Sequence, residues 1–340
     1  MALLALAAGA VAAPGRDEDP SAAVRALTGA RTRVVWCQQM TTNGSDEDGL
    51  SSDLRLMGLD TDDGKGVREI LPGPRGCRRP MLTPDGQRIV YTDFPHQTIG
   101  VVNWDGTGRR KVARGAASDV WRDPKTGGIW VIAITAAKSA ASVEGCPVSR
   151  ILLNHPRTVQ TLWDRTTVSA DTFQLSADGT RAIGLFPWPQ VGFANLEKKT
   201  WEQYGKGCWP SLAPDDSYLG WYLDGPHRNV TFIREFSDQK WAVNISESPD
   251  VKGAEIYHPR WSNRRQFLCL SGPYARGLNA AGATNGYGEV EIHLGRFSPD
   301  LKQVEAWVRV THNEFPDFFP DAWIEGGAQA AAKPPVAAAP

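Results

Sequence analysis

The chain has 340 residues, with 37 basic and 38 acidic side chains and a formal net charge of −1. With charge so balanced and no long basic run, nucleic-acid binding driven by counterion release is disfavoured. Hydrophobic residues make up 41% and charged residues 22%, with 13 tryptophans, so the chain has the composition of a folded protein. No apolar run is long enough to cross a membrane as a helix.

In chain order, residues 1–13 come first. Their apolar stretch ends in the small-x-small triplet Ala10-Val11-Ala12, which predicts a secretory signal and a periplasmic or secreted destination. Residues 14–31 read as a linker. At the far end, residues 326–340 are rich in Ala and Pro without aromatics, the composition of an extended tail. The five cysteines lack metal-type spacing. Cys269, inside Phe-Leu-Cys-Leu, reads as a buried thiol, and one or two disulfides among the others fit an exported chain. Their pairing stays open.

Between these ends the sequence repeats itself. Pro80–Asp93, Thr172–Phe186, Trp209–Asp224 and His258–Gly272 each read as an apolar strand, a tight polar turn and a second apolar strand. The Asp-Gly turns at Asp85-Gly86 and Asp178-Gly179 suit a hairpin, because glycine tolerates positive φ. A degenerate copy starts at Asp119. Each copy is followed by two more strand-like runs, as in Thr98–Gly115, so the unit is a four-stranded antiparallel meander. Such a sheet buries both faces only by stacking on copies of itself. A sixth first strand, Phe319–Ile324, lacks its partners. Thr32–Gln38, Asp53–Asp60 and Val67–Gly73, at the other end, supply them. The predicted fold is therefore an all-β, six-bladed β-propeller over 32–325, with four-stranded antiparallel blades and the last blade closed by both termini. Closure removes exposed sheet edges.

Pro80–Asp93 and Thr98–Val112 follow a pattern of Pro-x-x-Ser/Thr-Pro-Asp-Gly, then Ile-x-Val, then Asp-Gly-x-Gly. In this the chain resembles TolB-type six-bladed propellers, with a looser similarity to oligogalacturonate-lyase-type propellers. The first resemblance implies a periplasmic interaction protein. The second implies a metal held by histidines that acidifies a uronate C–H.

Chemistry on such a scaffold sits on the face shared by the blade-to-blade connections and the loops between second and third strands. Four of the six histidines fall there: His96, His227, His258 and His312. His227, His258 and His312 are candidate ligands for one divalent metal, Mn, Zn, Fe or Ca: neutral imidazole is a common ligand for the first three, and carboxylates complete such shells. The alternative is that they only cap turns. His155 and His293 read as structural. Arg78 and Arg79 suit carboxylate recognition, because guanidinium binds oxyanions bidentately. Trp188, on the stiff Phe186-Pro187-Trp188-Pro189 loop, and Trp209 are candidates to meet a ligand, with Asn229 and Tyr274 beside them. Most other tryptophans are expected to pack between blades. Long loops at Thr135–Val148 and Gly272–Gly288, and an acidic one at Gln39–Ser52, border this face.

Two functions remain open. One is an exported, monomeric binding module for a glycan, peptide or protein. The other is a metal-dependent uronate lyase in which His227, His258 and His312 hold the metal, Arg78 or Arg79 binds the carboxylate, and Tyr274 or a spare histidine is the base. No Ser-nucleophile elbow, phosphate loop or His-Glu-x-x-His motif favours another chemistry.

Overall fold

The computed structural model describes residues 19–40, 52–73, 75–135, 144–169, 172–249, 251–274 and 290–328. The signal segment, all but three residues of the tail, and the greater part of each long loop lie outside these ranges. Six four-stranded antiparallel sheets form the propeller. Blade 1 comprises Cys77–Leu82, Arg88–Asp93, Thr98–Asn103 and Arg110–Arg114, from inner to outer strand. Blade 2 comprises Ala116–Arg122, Ile129–Ile134, Val148–Leu152 and Val159–Trp163. Blade 3 comprises Gln174–Leu175, Arg181–Leu185, Gln190–Asn195 and Thr200–Lys206. Blade 4 comprises Cys208–Leu212, Leu219–Leu223, Asn229–Arg234 and Ser237–Asn244. Blade 5 comprises Glu255–Trp261, Phe267–Tyr274, Glu291–Phe297 and Val304–Arg309.

Blade 6 takes its inner strand, Asp317–Ile324, from the C-terminal part, and Thr32–Gln39, Leu54–Asp60 and Arg68–Glu69 from the N-terminal part. Val34 pairs with Ala322 on one side and Leu59 on the other. Closure of the last blade by both ends of the chain is thus borne out. In cyclic order each inner strand touches the next, including blade 6 against blade 1.

Burial falls from the axis outward. Asp317–Ile324 and Thr32–Gln39 are buried along their whole length, whereas the outer strand Thr200–Lys206 has no buried residue. The tryptophans do pack between blades, and in two seams they do so in one way. Trp121 of blade 2 donates its indole N–H to the Ser176 carbonyl of blade 3 at 3.0 Å, and Trp323 of blade 6 donates to the Pro84 carbonyl of blade 1 at 3.0 Å. Each ring lies on the glycine of the next blade's Asp-Gly turn. A Cβ at Gly179 would stand 2.5 Å from the Trp121 ring, and one at Gly86 2.6 Å from that of Trp323. These glycines, at φ of 72° and 71°, serve both the turn and the seam. Where the preceding blade offers Ser176 instead of Trp, the next turn carries Asp216 instead of Gly.

Two features depart from the sequence reading. The segment expected as a linker contains a helix, Ser21–Thr28, ended by Gly29 at φ 69° with its N–H on the Arg25 carbonyl. Its alanines favour helix, and Val24 and Leu27, one turn apart, are buried in a cluster with Trp36, Phe267 and Val310 of blades 5 and 6. Each such side chain contributes about 1.5–3 kcal/mol. The second is a short ribbon pairing Glu144–Gly145 with Val168–Ser169 beside blade 2. No disulfide joins the cysteines, and Cys269 is buried as expected.

Candidate functional site

The inner strands face the axis with no further strand to pair, so their backbone groups need other partners. In four of the six inner strands, those of blades 2, 3, 4 and 6, one position supplies them. Asp119 Oδ2 accepts the Leu175 N–H at 3.0 Å, Gln174 Oε1 the Leu212 N–H at 2.9 Å, Ser211 Oγ the Trp261 N–H at 3.1 Å, and Asp321 Oδ2 the Leu82 N–H at 2.7 Å. In blade 5 the position is Arg260. Its Nε donates to Asp321 at 2.9 Å and its Nη2 to Asp119 at 3.2 Å. One guanidinium therefore ties blade 5 to blades 6 and 2. Burial works against its charge, but Asp321 and Asp119 outweigh burial and hold its proton more tightly than usual. Burial pushes the Asp119 carboxyl above the ordinary range, with Arg260 opposing. A cavity of about 100 Å³ lies along this belt, bordered by Asn263 and Ala328.

Two residues before the belt position, four strands carry a non-glycine residue followed by proline: Arg79-Pro80, Trp209-Pro210, His258-Pro259 and Phe319-Pro320. Their φ angles are 49°, 38°, 54° and 53°. The pairing register shifts at each of them, so each is a bulge. The left-handed region is unfavourable for such side chains, and a residue before proline is ordinarily extended. The four converge above the belt around a small pocket. His258 lies tilted over Phe319 with centroids 3.8 Å apart, and Trp209 meets His258 edge-on at 5.0 Å. Two lines of argument thus meet at the upper end of the axis: strained backbone and converging large side chains.

The structure distributes the sequence candidates unevenly. Arg79 and Trp209 reach the axis and are half-buried. Arg78 is instead buried against the rings of Phe94 and Phe319, at 5.7 and 5.5 Å. Trp188 is 59% exposed, its indole N–H on Cys208 Sγ at 3.3 Å, next to Trp209. Asn229 is engaged within its own turn, donating to Asp224 Oδ2 at 2.7 Å. Tyr274 is buried and lies 4.0 Å from Tyr257, ring to ring.

Of the proposed metal ligands, His227 and His258 both touch the Trp209 indole, at centroid distances of 5.5 and 5.0 Å. His258 Nδ1 bonds Ser271 Oγ at 2.8 Å, and His227 Nδ1 stands 3.9 Å from Glu255. His312 is half-buried on the side of His293 and disfavours protonation of that ring. Among the described residues no three His, Cys, Asp or Glu side chains form a group able to hold a metal. The aromatic ring set between two imidazoles is what the spacing of motifs could not reveal.

His293 and His96 take other roles. His293 is fully buried between Ser248 Oγ, at 2.9 Å, and the Gly272 carbonyl, at 3.2 Å. Burial, then Arg309, lowers its pKa to about 3, so it is a neutral core residue. His96 is exposed and bonds Asp93 at 2.6 Å. Sequence reasoning missed the belt, because Asp119, Gln174, Arg260 and Asp321 sit inside strands. A polar residue recurring at one position of an otherwise apolar strand was the available signal.

No protein-family model matches the chain, and no curated protein does. Solved structures share its fold. TolB from Acinetobacter baumannii matches with a TM-score of 0.56 and 13% identity over 89% of this chain and 70% of that one. A nidogen/laminin complex matches with a TM-score of 0.55 and 8% identity over 86% and 98%. An oligogalacturonate lyase in complex with manganese matches at only 0.41, with 15% identity over 62% and 61%, too slight a likeness to argue from. The fold is a TolB-like six-bladed propeller.

Proposed function

We propose that the chain is an exported binding module whose upper face takes a glycan, peptide or protein ligand. The observation that carries this reading is the set of left-handed residues at the axis. Glycine fits that backbone best, yet Arg79, Trp209, His258 and Phe319 occupy it. Backbone strain retained at converging side chains points to a role for those side chains. Arg79 carries a guanidinium of the kind that suits a carboxylate, and Trp188, bonded to Cys208 next to Trp209, an exposed ring face for a sugar or an aromatic side chain. The likeness to TolB and to a nidogen/laminin complex, the latter an assembly of proteins by its description, agrees with binding. Export rests on the Ala10-Val11-Ala12 segment, and no described helix is long and apolar enough to cross a membrane.

The test is a screen of glycans and peptides, followed by titration of the best binder against Trp188→Ala and Arg79→Gly. Both variants are expected to lose affinity by about tenfold or more, the loss usual for a central interface residue. Unchanged affinity in both overturns the reading.

A further inference from the structure

Away from the axis, the outer part of blade 1 carries a second polar site. Where its outer strand begins, three exposed cations stand in succession: Arg109 just before the strand, then Arg110 and Lys111. They line a groove of about 230 Å³ together with Tyr91, Asp93 and Thr98. In a chain of balanced charge, this groove holds three cations against one carboxylate. Gly100 shapes its wall. Paired with Tyr91, it leaves room for the phenol, since a Cβ there would lie 2.4 Å from the Tyr91 ring. The Tyr91 hydroxyl then accepts from Arg109 Nε at 3.0 Å, and Asp93 stands 3.7 Å from Arg109 Nη2. The guanidinium is held in place before any ligand arrives. Arg110 is anchored on the Leu153 carbonyl of blade 2 at 2.7 Å, and Lys111 is exposed.

From this geometry we infer that the flank of blade 1 binds an acidic polysaccharide. Arg109 and Lys111 take the carboxylate or sulfate of the sugar chain, a pairing guanidinium favours. Asp93, Thr98 and the exposed His96 take sugar hydroxyls. The hydroxyls separate this ligand from inorganic phosphate, which carries the anion but no sugar hydroxyls for Asp93, Thr98 and His96 to meet. Tyr91 is covered, so no ring face is offered for a nucleic-acid base to stack on. The site is distinct from the upper end of the axis and does not depend on the reading given for it.

The experiment is calorimetric titration of the whole chain with a uronate hexasaccharide, a neutral hexasaccharide and inorganic phosphate. The expected result is binding of the uronate alone, weakening as salt rises. The double variant Arg109→Gln/Lys111→Gln should lose at least about tenfold in affinity, with the tryptophan fluorescence of the folded chain unchanged. The variant Trp188→Ala, at the upper face and away from this flank, should bind the uronate as the parent does. Absence of uronate binding, equal affinity for the neutral sugar, phosphate binding as tight as uronate, or unchanged affinity in the double variant each overturns the proposal. Should the double variant misfold, Lys111→Gln alone, at an exposed position, carries the same comparison.

Discussion

The belt and the ring of left-handed residues above it are two positions apart in the same strands, yet they solve different problems. In the belt, the polar side chains reach partners on other blades: Asp119, Gln174, Ser211 and Asp321 receive backbone N–H groups, and Arg260 binds two carboxylates. In the upper ring, the backbone is in a conformation unfavourable for the side chains it bears. The lower layer meets the hydrogen-bonding needs of the inner strands, while the upper one holds an unfavourable backbone conformation and brings four large side chains together. The difference teaches where to look for function on a propeller axis: at the position whose side chain its backbone would not choose.

The largest expected effect is on the belt. Arg260→Met leaves Asp119 and Asp321 buried without their cation and should cost about 3–5 kcal/mol near neutral pH, read by denaturant unfolding. The deficit should shrink in acid as Asp119, whose pKa burial already raises, takes up a proton. A loss below about 1 kcal/mol would erase the contrast between the layers. Next comes a group outside both. His293 has its pKa lowered to about 3 by burial, so the unfolded chain binds an extra proton between that value and about 6.5. The stability it confers is complete above the unfolded pKa and falls with pH through this window, by up to about 1.4 kcal/mol per unit. His293→Gln should flatten that slope in unfolding curves taken across the window, and an unchanged slope would assign the acid sensitivity elsewhere.

The upper ring gives smaller effects. Arg79→Gly removes the side chain from a left-handed position and should leave stability unchanged or raised by up to about 1 kcal/mol, while ligand affinity falls. Clear destabilisation would make Arg79 a structural residue like Arg260. The smallest lies just outside the ring: Trp188→Ala is expected within about 0.5 kcal/mol of the parent because the side chain is largely exposed, again with loss of binding.

The blades were legible because Asp-Gly turns and flanking apolar strands recur, and because Phe319–Ile324 ends without partners that Thr32–Gln38 and its successors provide. The helix Ser21–Thr28 was missed because its apolar stripe is only Val24 and Leu27, too short to stand out from a linker. The candidate site was half legible. Arg79, Trp209 and His258 were placed on the right face by their position before an inner strand. Their common conformation was not, since the following proline predicts extended backbone. The burial of Arg78 and Tyr274 follows from neighbours distant in sequence, Phe319 and Tyr257 among them.

The tryptophan that rests on the next blade's glycine bears on how the ring comes apart. The seams from blade 6 to 1 and from blade 2 to 3 are fastened at their lower rim by an indole, whose grip is indifferent to protons. Between blades 3 and 4 the same rim is held by carboxylates. Asp178 accepts from Tyr218 at 2.6 Å, Asp216 accepts the Asp178 N–H at 2.7 Å, and Arg181 pairs with Glu235 at 2.8 Å. Burial opposes the charge of Asp178, but its hydrogen bonds from Ser176, Tyr218 and Thr180 outweigh burial and lower its pKa, so what it contributes is lost as pH falls. Acid therefore weakens the Asp178 contact at the rim between blades 3 and 4, a loss that the indole contacts at the rims of the other two seams do not share.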